Sequence, residues 1–227
     1  MPQVAVIIPA WNEEERIADT VRSALCIPKV DNVIVIDDGS NDGTVAKAIE
    51  AGASVIKQPF HQGKGQAMLA GIGVTHADVL LFLDADLGNS AVHAQALLTP
   101  VLAGEVDMAI AHLPAGSGGG LGLTRSLARW GIRTLTGWQT QSPLSGQRAI
   151  RREVLQQVGI APGWGAEVGL TVDALRQGYR VCEVKVPLRH RQTAGDLAGY
   201  MHRGGQFMAI ARTLLGRWYG RSLVARN

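Results

Sequence analysis

Cysteine is scarce in this chain of 227 residues: only Cys26 and Cys182 are present. They lie far apart in apolar surroundings without metal-ligand spacing, so they are read as structural thiols, and neither a disulfide framework nor a zinc site is expected. Aromatic residues are also few, at 5%, and no stacking or DNA-reading motif accompanies them, which argues against nucleic acid as a partner. Long apolar runs are missing. The longest, Val4 to Ala10 and Val79 to Leu83, fall far short of the ~20 residues that span a bilayer, and the pattern after Met1 is that of a strand rather than a signal peptide. A cytoplasmic location is the expectation. Acidic residues are unevenly withheld. None occurs between Gly116 and Ile150, and from Arg176 to Asn227 ten Lys/Arg face only Glu183 and Asp196. The second half is therefore basic, which suits an anionic small molecule or contact with the inner face of a membrane.

With 46% hydrophobic and 18% charged residues, the composition is that of one compact α/β domain. Short Val/Ile-rich runs predict strands over Val4–Pro9, Asn32–Ile36, Ser54–Lys57, Val79–Leu83, Asp107–Ala111, Gly146–Ile150 and Arg180–Pro187. Helical spacing predicts helices over Glu13–Leu25, Thr44–Ala51, Gly65–Val74, Ala91–Ala103, Thr124–Thr136, Arg152–Val158, Glu167–Arg176 and Leu197–Trp218, the last weakened by Gly204-Gly205. A glycine-rich loop over Ala115–Gly122 is expected to be mobile. The strand-helix alternation builds a mostly parallel sheet with helices over it. The expected division is a nucleotide-binding half over 1–104, an acceptor-binding half over 105–195 and an amphipathic helix over 196–227. A homodimer is left open.

Ligands of such sheets bind beyond the carboxyl ends of the strands, and those ends are polar here. Asp84-Ala85-Asp86 follows the fourth strand directly. Two carboxylates one residue apart at that point repel each other unless a cation or sugar hydroxyls relieve them. Asp37-Asp38-Gly39-Ser40-Asn41-Asp42-Gly43-Thr44 follows the second strand. Asp42 or Thr44 can cap the next helix, but capping does not explain Asp38, whose carboxylate can accept a nucleobase N–H or a ribose hydroxyl.

Together with Pro9-Ala10-Trp11-Asn12-Glu13-Glu14 and Gly63-Lys64-Gly65-Gln66-Ala67, these segments resemble the nucleotide-sugar half of the family-two glycosyltransferases over about the first hundred residues. The resemblance implies a GT-A fold, a Rossmann-like sheet flanked by helices with a C-terminal helical extension. It also implies a nucleotide-diphosphate sugar donor, with UDP or GDP as the nucleotide, and Mg²⁺ or Mn²⁺ as cofactor. Pro9, Ala10, Glu13 and Asp38 would hold the nucleoside, Lys64 would lie near the base or phosphates, Asp84 and Ala85 would contact the donor sugar, and Asp86 would bind the metal. Further on, Ser145-Gly146-Gln147-Arg148-Ala149-Ile150-Arg151-Arg152 is similar to the polyprenyl-phosphate sugar transferases. Gly165-Ala166-Glu167 and Val186-Pro187-Leu188-Arg189-His190-Arg191 look closer to the glucosyl-3-phosphoglycerate synthases, in which a histidine after this strand completes the metal site, here His190. No Gln-x-x-Arg-Trp signature of processive synthases is present.

Glu167 has two readings, a helix-starting acid or the carboxylate that positions or deprotonates the acceptor. Arg125, Arg129 and Arg133 form a helical stripe with no acid near in sequence. With Arg148 and Gly146 they are assigned to an anionic acceptor, either a small phosphorylated molecule or a lipid phosphate. The other histidines, His61, His76, His93, His112 and His202, are expected to be ordinary residues. Two further classes compete. A nucleotidyltransferase would place a glycine-rich phosphate loop where Ala10-Trp11-Asn12-Glu13-Glu14 stands. A non-catalytic nucleotide-sugar sensor would keep the same binding residues.

Overall fold

The computed structural model describes residues 2–112, 122–160, 163, 165–189 and 197–220, with side chains from 205 onward in the last stretch. Strands β1 (Val4–Ala10), β2 (Asn32–Asp37), β3 (Ser54–Lys57), β4 (Val79–Phe82), β5 (Met108–His112), β6 (Arg148–Arg151) and β7 (Val181–Lys185) form one sheet in the order β3-β2-β1-β4-β6-β5-β7. The helices are α1 (Ile17–Leu25), α2 (Thr44–Glu50), α3 (Lys64–Gly73), α4 (Gln95–Leu102), α5 (Gly122–Thr136), α6 (Arg152–Val158), α7 (Ala166–Arg176) and α8 (Leu197–Trp218).

The central strands β1 and β4 are buried on both faces because they are apolar at every position, and alternation assigns neighbours to opposite layers. Val4, Val6 and Ile8 pack with Ile17, Val21 and Leu97 on one side. Ala5 and Ile7 pack with Met68, Val154 and Leu170 on the other. Four strands run parallel, β3 to β2 to β1 to β4, whereas β6 runs antiparallel to both β4 and β5, pairing Phe82 with Arg148. That reversal carries the start of β6, rather than its end, to the carboxyl end of β4.

Two expectations of local structure are corrected. The helix after β1 begins at Ile17, not Glu13, because residues 12–14 are engaged elsewhere. The Asn12 N–H donates to Ser40 Oγ at 2.9 Å, the Asn41 N–H to Asn12 Oδ1 at 2.9 Å, the Glu13 N–H to Thr44 Oγ1 at 2.8 Å and the Gly43 N–H to Glu14 Oε2 at 2.8 Å. The helix expected over Ala91–Ala103 divides into a 3-10 segment, Gly88–Ala94, and α4. Gly88 enters with a positive φ of 54°, and the Ser90 hydroxyl returns to the Leu87 carbonyl at 2.7 Å, a local bond that competes with the α-helical pattern. The glycine-rich loop lies outside the described residues up to 121.

Helix α8 runs unbroken through Gly204-Gly205. Tertiary packing supplies what propensity lacks. Ile210 and Leu214 join Ala128 and Ile132 of α5 and Val168 and Val172 of α7 in a third apolar cluster. A Cβ on Gly131 would lie 2.3 Å from Leu214 Cδ1, so glycine is what lets α5 and α8 approach. Beside this contact, Arg217 of α8 is buried and bonded through Nε at 2.8 Å and through Nη2 to the carboxylate of Asp173 on α7. Removing one partner of a buried pair strands the other. Asp173→Ala should therefore lower stability in urea unfolding by about 3–5 kcal/mol, while Asp173→Leu combined with Arg217→Met should recover most of the loss. Equal damage from the single and double changes would show that the pair is not what locks α8.

Candidate active site

The carboxyl ends of β1 and β2, the loop before α3 and the first turn of α7 surround a cavity of about 570 Å³, lined among others by Pro9, Ala10, Trp11, Asp38, Lys64 and Glu167. Its inner wall is an alternation of charges. Lys64 Nζ donates to Asp84 Oδ1 at 2.5 Å and lies 3.8 Å from Glu167 Oε1. The second oxygen of Asp84 accepts from the Gln147 side chain. Lost solvation works against the Lys64 charge, but the fields of Asp84 and Glu167 and the bond to Asp84 outweigh it and hold the ammonium above its ordinary range. Gly146 makes this packing possible, because a Cβ there would lie 2.3 Å from Lys64 Nζ.

Asp38 is 2% exposed and directs its carboxylate inward. Oδ1 accepts from the Gln62 N–H at 2.8 Å, and Oδ2 accepts from the Gly63 N–H at 2.7 Å with His61 Nδ1 at 2.8 Å. Of roughly four acceptor directions on a carboxylate, three are used, leaving one for a ligand. Asp38 thus also shapes the loop that delivers Lys64. His61 stacks on Trp11 with ring centroids 4.3 Å apart. At the floor of the acidic loop, the buried Thr20 donates its hydroxyl to the Ala85 carbonyl at 2.7 Å and accepts from the Gly88 N–H at 2.8 Å, fixing the backbone on either side of Asp86.

Several expected residues therefore converge. Pro9, Ala10, Asp38, Lys64 and Glu167 line the cavity, and Asp84 with Gly146 stands against Lys64. Glu13 turns into the neighbouring loop contacts, its carbonyl accepting from Arg16 and Ile17. Arg148 is a correction. Expected as an uncompensated cation at the cleft, it is wholly buried. Its Nη2 donates to the Ser145 carbonyl at 2.5 Å and its Nη1 to the Glu167 carbonyl at 3.3 Å. Burial pulls its pKa down to about 10 against the favourable field of Glu167, which leaves it charged at neutral pH. Arg125 is exposed on α5 and does not line the cavity. His190 lies outside the described residues.

Sequence reasoning misses Gln147, to which it assigns no contact, and His61, which it reads as an ordinary residue. The signal for Gln147 was its place just before a strand, but only the antiparallel direction of β6 puts that place at the site. Gln206 of α8, also at the cavity, carried no signal. Among the described residues, no three His, Cys, Asp or Glu side chains gather as a metal cage. The strand-end carboxylates Asp84 and Asp86 are hard oxygen donors, of the kind that would serve a hard cation completed by substrate phosphates rather than by protein alone.

The family model for glycosyl transferase family 2 matches residues 5–159. Glucosyl-3-phosphoglycerate synthase of Mycobacterium tuberculosis is 33% identical, over 94% of this chain and 73% of that protein. Polyprenol monophosphomannose synthase of Mycolicibacterium smegmatis is 32% identical, over 93% of this chain and 87% of that protein. The crystal structure of the Mycobacterium tuberculosis synthase in complex with Mn²⁺, UDP-glucose and phosphoglyceric acid superposes with a TM-score of 0.80 at 30% identity, covering 95% of this chain and 79% of that one. The chain belongs to glycosyl transferase family 2 and has the GT-A-like α/β fold of these structures.

The Lys64 cluster generates a direct test. In Gly146→Ala the added methyl meets chiefly the end of the flexible Lys64 side chain, with Asp84 Oδ1 in near contact at 3.4 Å, so unfolding should shift by about 1 kcal/mol or less. The ammonium, moved off Asp84, should titrate at a lower pH in a ¹³Cε NMR titration. An unchanged Lys64 titration would show that Gly146 does not hold the pair together.

Proposed function

We propose that this member of glycosyl transferase family 2 moves a hexose from a uridine-diphosphate sugar, or its guanosine counterpart, to a small phosphorylated acceptor of the phosphoglycerate kind. The observation that carries this reading is the strand-end cavity lined by Asp38, Lys64 and Glu167, with Asp84 paired to Lys64 at its edge. Support for donor and acceptor comes from the UDP-glucose and phosphoglyceric acid bound by the synthase of similar fold.

In this reading Pro9, Ala10, Glu13 and the remaining acceptor direction of Asp38 hold the nucleoside. Asp84 and Ala85 face the donor sugar. Asp86, with His190 as its partner, would hold Mg²⁺ or Mn²⁺, which when bound neutralises the diphosphate so that it can leave. Lys64 stands between Asp84 and Glu167, and its ammonium is placed to attract phosphate oxygens. Glu167 orients the acceptor hydroxyl and can take its proton as the new glycosidic bond forms. Arg148 acts from beneath, fixing the backbone of Glu167 through its carbonyl. Gly146 gives Lys64 its room, and Arg125, exposed on α5 outside the cavity lining, would draw an anionic acceptor in from the surface.

A second reading, transfer to a polyprenyl phosphate, is favoured by the apolar residues that α8 exposes and by the likeness to polyprenol monophosphomannose synthase. A transfer assay separates the two, and separates both from a binding-only sensor. With UDP-glucose and Mn²⁺, product should form with 3-phosphoglycerate but not glycerate. Glu167→Gln should cut kcat about 10²-fold or more, and Arg125→Ala should weaken use of the phosphorylated acceptor about tenfold, the worth of one charge-assisted hydrogen bond. Equal turnover of glycerate with no defect in Arg125→Ala would overturn the anionic acceptor. Product with polyprenyl phosphate alone would select the second reading.

A further inference from the structure

The inner face of α8, Ile210, Leu214 and Arg217, is buried against α5 and α7. A second flank is apolar and, among the described residues, exposed. Phe207, Leu215 and Trp218, at helical spacings of eight and three, stand with Met208 on one flank of the helix, and Tyr219 follows directly. Met208 is 53%, Leu215 56%, Trp218 56% and Tyr219 77% exposed. On α5, Leu123 and Trp130 share a flank, seven residues apart, and are likewise exposed. Seven of the large exposed hydrophobic side chains of the molecule thus fall on this helix pair, and such clustering marks an interaction surface rather than scattered surface apolarity.

The charge on the same helices selects the partner. Neither α5 nor α8 contains an Asp or Glu, while Arg129 and Arg133 on α5 and Arg212 on α8 are exposed. A second copy docking through this face would meet it with the same patch across a two-fold axis, bringing arginine toward arginine with no acid from either helix to relieve them. A sheet of anionic headgroups relieves them all. Tryptophan and tyrosine favour the headgroup level, leucine and phenylalanine the acyl boundary beneath it, and arginine keeps its charge at the surface above a buried stem. No helix among the described residues is long and apolar enough to cross a membrane, so the fitting geometry is a helix pair lying on it. We infer that the α5–α8 face is a docking surface for an anionic lipid membrane. Because Gln206 of α8 lines the cavity, docking holds the catalytic mouth near the membrane whichever acceptor is used, and the inference does not rest on the donor or acceptor assigned above.

Flotation of the full chain with vesicles tests this without turnover. Binding is expected to vesicles of phosphatidylcholine containing phosphatidylglycerol and not to phosphatidylcholine alone, with release as salt is raised. Arg133→Gln should weaken binding about fivefold, the equivalent of about 1 kcal/mol for one basic residue near an anionic surface. Trp218→Ser, on an exposed position, should weaken binding without changing the melting temperature. No binding to the anionic vesicles, equal binding to both kinds, or binding untouched by both variants would overturn the inference. So would a dimer in analytical ultracentrifugation that Trp218→Ser dissociates.

Discussion

A carboxylate at the mouth of a parallel sheet is unstable beside another unless a cation lies between them, and the ion pair of Lys64 with Asp84, extended to Glu167, is where this structure meets that constraint. The three residues come from different elements: the start of α3, the end of β4 and the first turn of α7. Each is brought in by a device of its own. Asp38 ties the loop before α3 through the amides of Gln62 and Gly63, Gln147 holds the far oxygen of Asp84, and Arg148 fixes the carbonyl of Glu167. Gly146 leaves the space in which the ammonium sits. Take away the lysine, and two acids would face each other across a partly dry cavity.

Around this cluster the fold divides its work between rigid and joining parts. The four parallel strands and their two apolar layers set the positions of the strand ends, so the site rests on the most buried part of the molecule. The joining parts are polar. Residues 12–14 and 40–44, which would otherwise be two separate loops, are laced together by hydrogen bonds between backbone amides and the side chains of Ser40, Asn12, Thr44 and Glu14. On the other side, α8 is pinned to α7 by Arg217 and Asp173, so the last helix is held to the element that carries Glu167. A chain of this size has little surplus stability, and these polar ties are the places where a single change would be felt in both folding and chemistry.

Much of this could be read in the amino-acid order, and the part that could not has a physical reason. Strand β3 and helix α6 have the expected bounds and most other elements lie within a few residues, because short apolar runs and helical spacing are local signals that need no knowledge of their partners. The acidic loops after β2 and β4 were legible for the same reason, since strand ends define where ligands go. What remained hidden depended on direction and depth. Nothing local marks β6 as antiparallel, so Gln147 gave no sign that it meets Asp84. Arg148 has the composition of a surface cation, yet it lies under the site because carbonyls of Ser145 and Glu167 receive its donors. His61 reads as an ordinary loop histidine until the fold sets it between Asp38 and Trp11.

In the proposed reaction these strand-end acids receive a nucleoside diphosphate together with a divalent cation. Calorimetric titration of UDP into the full chain, with Mn²⁺ and with a chelator in its place, measures this most directly. Saturable binding that needs Mn²⁺, and that is lost in Asp86→Ala while the variant melts like the parent, is the predicted result. Binding of UDP that is equally tight without metal, or unchanged in Asp86→Ala, would contradict it.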